Sequence, residues 1–265
     1  YGLMLASGND AAVAIAEHIG GSVPQFVKMM NARAVELGAA NTHFANPNGL
    51  PDDTHVTTAY DLALIARAAM GSDAFRKIVS TQRAEIPWEG RTYNRRLKNK
   101  NKLLETYPGA TGIKTGFTSR AGRCLVFGAS RDGMELVGVA LNCADWFDEA
   151  ARLMDACFET YTMARVLGPT MAAGKIAVTD GRQESARLCA MQEMRVPLRE
   201  GESAQIVLDV PQSLRAPGYA GEHIGTAQVV VGGKTLAECE IVLSEYVESR
   251  RLTLDVRRIV SRWML

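Results

Sequence analysis

Two short polar motifs in this chain carry side chains that can take part in acyl transfer: Ser7-Gly8-Asn9 and Lys114-Thr115-Gly116. A serine hydroxyl close to an ammonium can relay a proton, and an ammonium beside a threonine hydroxyl can hold a carboxylate. Covalent catalysis also needs a nucleophile with its own base, which a Ser-x-x-Lys sequence would supply. None of the serines in the chain is followed by lysine three residues later. The Lys114 motif therefore indicates an anion-binding position, and neither motif supplies that nucleophile.

Each motif by itself also has an ordinary structural explanation. Asn9 can cap the helix that follows it, which leaves Ser7 as a solvated loop hydroxyl. Lys114 can be an exposed strand lysine beside a turn glycine. Strand alternation would place Lys114 and Gly116 on one face and Thr115 on the other. The chemical interpretation therefore depends on the elements that position the motifs.

Helical signals dominate the first 70 residues. Asn9 or Asp10 can cap a helix over residues 11–19, which the following glycine pair ends. Ser22 with Gln25 makes a capping box for a second helix, and Thr58 begins a third that runs through residue 70. The Ser7 motif thus precedes a helix.

Strand signals follow from residue 82. Residues 82–88 and 91–97 flank a Glu-Gly turn and predict a hairpin. Residues 111–118, 123–130 and 134–142 predict three further strands, the last two joined as an antiparallel hairpin. Residues 145–161 return to helical spacing. The Lys114 motif thus lies on the first strand of a sheet.

The composition changes again near Gly168-Pro169, which we interpret as a linker. Short alternating runs then predict a small all-β module, at residues 175–178, 190–196, 204–210, 226–231 and 236–243. The last residues form an amphipathic basic pattern. The predicted domains are 1–166, 167–250 and a helix over 251–265.

Composition excludes several classes of protein. The 30 basic and 29 acidic residues give a net charge of +1, which argues against a nucleic-acid surface, and the basic cluster Arg91–Lys102 is only local. Five cysteines without a Cys-x-x-Cys motif indicate neither a zinc knuckle nor a full disulfide framework. No stretch reaches the roughly 18 to 20 apolar residues that cross a bilayer.

The histidines and Lys100 receive structural interpretations. His43, His55 and His223 lack a spaced set of metal partners. We expect His55 to position a loop near the site. Lys100 can line a cleft, although a solvated position is the simpler interpretation.

Several longer stretches agree with the two motifs: residues 7–11, 30–38, 41–50, 58–63, 99–104 and 112–118. Together they resemble the D-Ala-D-Ala carboxypeptidases of the low-molecular-mass penicillin-binding protein group, the S11 peptidase family. The resemblance implies an α/β (α+β) fold, with a partial penicillin-binding transpeptidase-like domain of helices and an antiparallel sheet. A small all-β domain and a C-terminal amphipathic helix would follow.

The resemblance also implies roles for the motif residues. Lys114, Thr115 and Gly116 would bind the terminal carboxylate of a peptide ending in D-Ala-D-Ala. Ser7 would relay a proton to the leaving amine, and Asn9 would bind the peptide backbone. The N–H of Phe117 would supply half of an oxyanion hole.

Partners and location follow from the same resemblance. The substrate would be a peptidoglycan stem peptide, and β-lactams would inhibit the complete protein. No cofactor, metal or nucleic acid is implied. The protein would act outside the cytoplasm, in the periplasm or on the outer face of the membrane. Its C-terminal helix would lie on the membrane surface, although the same pattern also suits docking on a neighbouring domain.

The missing Ser-x-x-Lys motif leads to three functional hypotheses. The first is a carboxypeptidase represented without its N-terminal nucleophile segment, inactive and aggregation-prone alone because the strand at 134–142 would be an exposed edge. The second is a non-catalytic cell-wall scaffold that keeps the peptide groove. The third hypothesis is a β-lactamase relative. It is weaker because such enzymes usually lack an appended β-module like the one predicted here.

Overall fold

The computed structural model describes residues 1–250, which form two compact units, one from Tyr1 to Glu159 and one from Thr160 onward. Within residues 1–250 no helix combines the length and apolar character needed to span a membrane. The predicted helix over 251–265 lies outside the described residues.

Helices of the first unit begin where the sequence offers capping side chains. The Ser22 hydroxyl accepts from the Gln25 N–H at 3.4 Å, and the Thr58 hydroxyl accepts from the Asp61 N–H at 3.1 Å. The two predicted caps are therefore confirmed. The helices are α1 Gly2–Ala6, α2 Asn9–Gly20, α3 Val23–Glu36, α4 Ala59–Met70, α5 Asp73–Val79, α6 Leu103–Thr106 and α7 Trp146–Thr160.

Two antiparallel sheets complete the first unit. Strands β1 (Arg83–Ile86) and β2 (Arg95–Lys98) form the predicted hairpin, with a longer connection than the Glu89-Gly90 turn requires. The second sheet has the order β3-β4-β5, from β3 Ala110–Thr118, β4 Gly122–Arg131 and β5 Met134–Ala140. All three predicted strands are confirmed. In the described chain β3 and β5 are the two outer strands of this sheet.

The second sheet has apolar clusters on both faces. Leu125 and Phe127 of β4 pack with Met154 of α7 on one face. Ile113 of β3 packs with Met70 of α4 on the other face. Alternation along the strands produces these two faces, so the Lys114 motif lies on a strand that is held from both sides.

The second unit is built from strands. Within the described residues, β6 (Tyr161–Leu167) pairs with β9 (Met194–Arg199), and a six-stranded sheet has the order β10-β12-β13-β8-β7-β11. Its strands are β7 Ala172–Thr179, β8 Ser185–Ala190, β10 Gln205–Asp209, β11 Ser213–Arg215, β12 His223–Val231 and β13 Lys234–Leu243. One apolar cluster contains most of the buried side chains of this unit up to residue 250.

Two sequence interpretations of this region are wrong. The run at 190–196 is not one strand, because residues 191–193 separate β8 from β9. The even spacing of the apolar Ala190, Met194 and Val196 spans this break. Gly168-Pro169 connects β6 to β7 inside the second unit and is not a linker between the units.

Candidate active site

The two polar motifs meet in the first unit. The Lys114 ammonium donates to the Ser7 hydroxyl and, at 2.6 Å, to the Thr115 backbone carbonyl. Ser7 ends α1 in the left-handed region, with φ 56° and ψ 45°. This backbone conformation is uncommon for a residue with a side chain and is typical of functional positions. A hydroxyl and an ammonium are therefore held in direct contact.

Asn9 lies at the start of α2, beside Ser7. The prediction that Asn9 or Asp10 caps this helix is wrong, because Gly8 occupies the N-cap position with no side-chain cap. The Asp10 carboxylate instead accepts from the Ala11 N–H at 2.9 Å. Asn9 lines the cavity that also contains Ser7, so its amide is available there for a ligand.

Residues 114–117 of β3 form one wall of this cavity. Thr115 is buried, whereas Gly116 is exposed and Phe117 is 68% exposed. An added Cβ on Gly116 would come no closer than 3.9 Å to Cys124. The strand therefore presents an open surface at Gly116.

The cavity has a volume of about 1210 Å³ and lies wholly within the first unit. Small-molecule pockets are commonly about 300 to 1,000 Å³, so this one has room for a peptide. Its walls come from α1, residues 47–50, residues 100 and 102, β3, and the start of α7, including Trp146 and Phe147.

Lys114 has an altered acidity. Burial, together with the nearby positive charge of Lys100, lowers the pKa of the Lys114 ammonium to about 8. A lysine with a pKa near neutral can both give and take a proton at physiological pH. The Ser7 hydroxyl, as its hydrogen-bond partner, is then placed to pass that proton on.

Asn99 fixes the chain behind the cavity. Its side-chain amide donates to the backbone carbonyls of Val79 at 3.2 Å and Thr81 at 3.1 Å, and its oxygen accepts from the Asn101 N–H at 3.0 Å. Asn99 is 6% exposed, so these bonds are shielded from water. They anchor the segment that follows β2 to the end of α5.

Asn101 continues this anchor. Its side-chain oxygen accepts from the Leu103 N–H at 3.1 Å, and the intervening Lys100 N–H donates to the Leu5 carbonyl of α1 at 3.3 Å. Lys100 and Lys102 have exposed side chains that line the cavity. Lys100 is therefore both solvated and part of the cleft, and the two sequence interpretations of it hold together. Sequence reasoning did not identify Lys102, although the alternation of Lys and Asn was a usable signal.

A loop supported by His55 forms another wall. The Ala45 N–H donates to Nδ1 of His55 at 3.1 Å, and the His55 ring contacts Phe44 edge-on with centroids 5.7 Å apart. Burial lowers the pKa of His55, which favours the neutral ring that can accept this bond. The Asn46 side chain then closes the turn, accepting from the Gly49 N–H at 2.7 Å. The contact agrees with the expectation that His55 positions a loop near the site.

Asp61 supports the base of the same loop from α4. Its carboxylate accepts from the Asn41 N–H at 2.7 Å and from the Thr42 hydroxyl at 2.8 Å. Burial opposes ionisation of Asp61, but these bonds and that of Thr58 lower its pKa. The sequence analysis did not single out this residue, since an acidic residue in the first turn of a helix has an ordinary explanation.

Metal ligands do not converge in the described part of the chain, where no three His, Cys, Asp or Glu side chains form a group that could hold an ion. The five cysteines, all within residues 1–250, are free thiols.

Family comparisons divide the chain in the same way as the structure. Residues 1–145 match the D-alanyl-D-alanine carboxypeptidase family model. Residues 161–249 match the model of the C-terminal domain of penicillin-binding protein 5.

Individual relatives agree with these models. D-alanyl-D-alanine carboxypeptidase DacF of Bacillus subtilis is 30% identical over 99% of this chain, which spans 69% of that protein. D-alanyl-D-alanine carboxypeptidase DacA of Haemophilus influenzae is 29% identical over 91% of the chain, which spans 62% of that protein. The crystal structure of penicillin binding protein 5 from Haemophilus influenzae superposes with a TM-score of 0.68 at 28% identity, over 94% of this chain and 73% of that one.

Proposed function

The chain belongs to the serine-type D-alanyl-D-alanine carboxypeptidase family of low-molecular-mass penicillin-binding proteins, and we propose that its cavity binds the D-Ala-D-Ala end of a peptidoglycan stem peptide for removal of the terminal D-Ala. The contact between Lys114 and Ser7 carries this proposal. It joins an anion-binding group to a proton carrier inside a cavity with room for a peptide.

Lys114 and Thr115 would hold the terminal carboxylate of the peptide. An ammonium donates a charge-assisted hydrogen bond to a carboxylate, and the threonine hydroxyl adds a neutral one. Gly116 leaves space for the peptide backbone to lie along β3. Asn9, which also lines the cavity, would bind the amide that precedes the scissile bond.

Ser7 would protonate the leaving amine. In the proposed reaction the serine oxygen of a Ser-x-x-Lys motif attacks the D-Ala carbonyl and gives its proton to the lysine of that motif. The C–N bond then breaks, and the amine of the released D-Ala takes a proton. The Ser7 hydroxyl can give that proton and recover it from Lys114, whose pKa is about 8. The Phe117 N–H would bind the carbonyl oxygen as negative charge develops on it. Water then hydrolyses the acyl ester.

The attacking serine with its Ser-x-x-Lys motif is not among these 265 residues. We therefore propose that the chain alone binds the peptide and does not become acylated. β-Lactams would acylate, and so inhibit, a protein that also supplies that motif.

A labelled penicillin tests this proposal. Incubation with the 265-residue chain should give no covalent adduct by mass spectrometry, whereas a D-Ala-D-Ala peptide should bind, and Lys114→Ala should weaken that binding. A version extended by a Ser-x-x-Lys segment should form the adduct. Adduct formation by the 265-residue chain, or unchanged peptide binding in the Lys114 variant, would contradict the proposal.

A non-catalytic scaffold that binds the same peptides is the second candidate, because the chain keeps the binding wall without the nucleophile. The scaffold hypothesis predicts that the reading frame upstream of Tyr1 does not encode a Ser-x-x-Lys motif. It also predicts that peptides bind without turnover. A β-lactamase is less well supported, since residues 161–249 match a penicillin-binding protein domain.

The location follows from the substrate. Stem peptides are part of the cell wall, so we propose that the protein acts outside the cytoplasm. Attachment to the membrane surface through residues 251–265 remains a prediction.

A further inference from the structure

Positive charge in the cavity exceeds what one terminal carboxylate requires. Lys100, Lys102 and Arg123 line the cavity with Lys114, against two aspartates in residues 144–148. The ion pairs of residues 1–250 involve none of these four cations. Like charges gathered in a cleft without partners raise the local concentration of anions.

Lys100 and Lys102 are held in place by a built framework. The chain alternates between buried asparagines and exposed lysines, and the asparagines bond to the backbone of α5, α6 and the chain between them. Asn101 leaves its amide nitrogen without a hydrogen-bond partner in the described structure. Buried amides cost stability unless they are satisfied, so their presence here indicates that the position of this backbone matters.

Lys98 shows what the same pattern does away from the cavity. It is the preceding lysine of the alternation, it does not line the cavity, and it pairs with Glu105 at 3.0 Å. The two lysines inside the cavity have no such carboxylate among residues 1–250. Lys100 and Lys102 are therefore available to pair with a carboxylate of a ligand.

We propose that Lys100 and Lys102 form a second carboxylate site that selects stem peptides with an anionic group upstream of the D-Ala-D-Ala dipeptide. The inference rests on the proposed function, in which Lys114 and Thr115 bind the terminal carboxylate of the peptide. Both D-Ala residues have only methyl side chains, so a second carboxylate must belong to a preceding residue. The preferred substrate class is therefore a peptide with two carboxylates.

Occupancy of this second site changes Lys114. The charge of Lys100 contributes to the lowered pKa of Lys114, and a carboxylate bound at Lys100 neutralises that charge. The pKa of Lys114 then rises, which strengthens the hold on the terminal carboxylate at alkaline pH. The two carboxylates thus bind cooperatively.

Two matched tripeptides test the proposal on the full chain. Both end in D-Ala-D-Ala, and the preceding residue carries a free side-chain carboxylate in one and its amide in the other. At low ionic strength the carboxylate peptide should bind about tenfold more tightly, as expected for two partly exposed charge contacts. In the Lys100→Gln, Lys102→Gln double variant the ratio should fall to about one, while the affinity for the amide peptide is retained.

The Lys98→Gln variant is the matched control and should keep the wild-type ratio, because Lys98 lies outside the cavity. Equal binding of the two peptides to the wild-type chain would overturn the second site and leave the proposed function standing. If neither peptide bound, the proposed function itself would fail. Loss of the preference in Lys98→Gln would assign it to general surface charge and would also overturn the second site.

Discussion

The two units of the chain differ in what they bury. Asp61, Asn99, Asn101 and Thr115 are the buried polar residues of the described chain, and all four lie in the first unit. The second unit, within residues 160–250, buries only apolar side chains, and most of them belong to one cluster. Burying a polar group costs stability unless its hydrogen bonds are made. In the first unit, buried polar groups occur where they hold the backbone around the cavity.

Apolar packing should therefore dominate the stability of the second unit. Leu188 on β8 is fully buried in its core cluster, so Leu188→Ala should lower the free energy of unfolding of this unit by about 2 to 5 kcal/mol. Hydrogen exchange followed by mass spectrometry should show the loss in the second unit, with protection in α4 and β3 unchanged. Val207, 51% exposed on β10, is the matched site, where Ala should change stability by no more than about 0.5 kcal/mol. Equal effects at both sites would contradict the apolar-core interpretation.

A polar deletion should have the corresponding effect in the first unit. Asn99→Ala removes the partners of the Val79 and Thr81 carbonyls and of the Asn101 N–H, so we expect a loss of about 1 to 3 kcal/mol. Denaturant unfolding measures the loss, and peptide binding should weaken with it because Lys100 moves. Asn94, exposed in the β1–β2 connection, is the control. A stable Asn99→Ala variant would remove the contrast between the units.

The pH dependence of stability should also separate the units. Lys114 has a folded-state pKa of about 8, lowered from 10.5, so the unfolded chain binds more protons than the folded chain between these values. The free energy of unfolding of the first unit should therefore increase as pH rises from about 8 to 10.5. Lys114→Met lacks this titration. The difference in free energy of unfolding between wild type and variant should therefore change with pH over the same range. A difference that is flat across this pH range would contradict the lowered pKa.

The same contrast explains what the sequence could predict. Ser22 and Thr58 predicted the starts of their helices because a capping hydroxyl bonds to a backbone N–H only three residues away. The three strands of the central sheet were recognisable because apolar side chains alternate toward two cores. These are local or periodic signals, and they extend through most of both units. Residues 190–196 show the limit of these signals, since Ala190, Met194 and Val196 keep an even spacing across the break between β8 and β9.

The cavity was less predictable, because its walls come from distant parts of the chain. The contact between Ser7 and Lys114 followed from the family resemblance and not from either motif alone. Lys102 and the support of the loop by Asp61 depend on which backbone groups the fold brings within hydrogen-bond distance. No periodicity in the sequence encodes those distances. Helix α1, only five residues long, likewise gave no pattern.

Surface ion pairs should distinguish the units least. Arg76 and Glu135 form a two-point contact between α5 and β5, one bond being 2.7 Å, and Arg182 pairs with Glu248 at 3.0 Å in the second unit. All four side chains are about one third to one half exposed, so solvent and salt screen the attraction. Arg76→Gln and Arg182→Gln should each lower Tm by at most about 3 °C, with the two-point contact giving the larger change. Calorimetry at low and high salt measures both, and the shifts should shrink together as salt rises. A large shift in Tm that does not depend on salt, in either variant, would mean that charge pairing contributes to the difference between the units. Small shifts in both variants would assign that difference to the buried polar groups of the first unit.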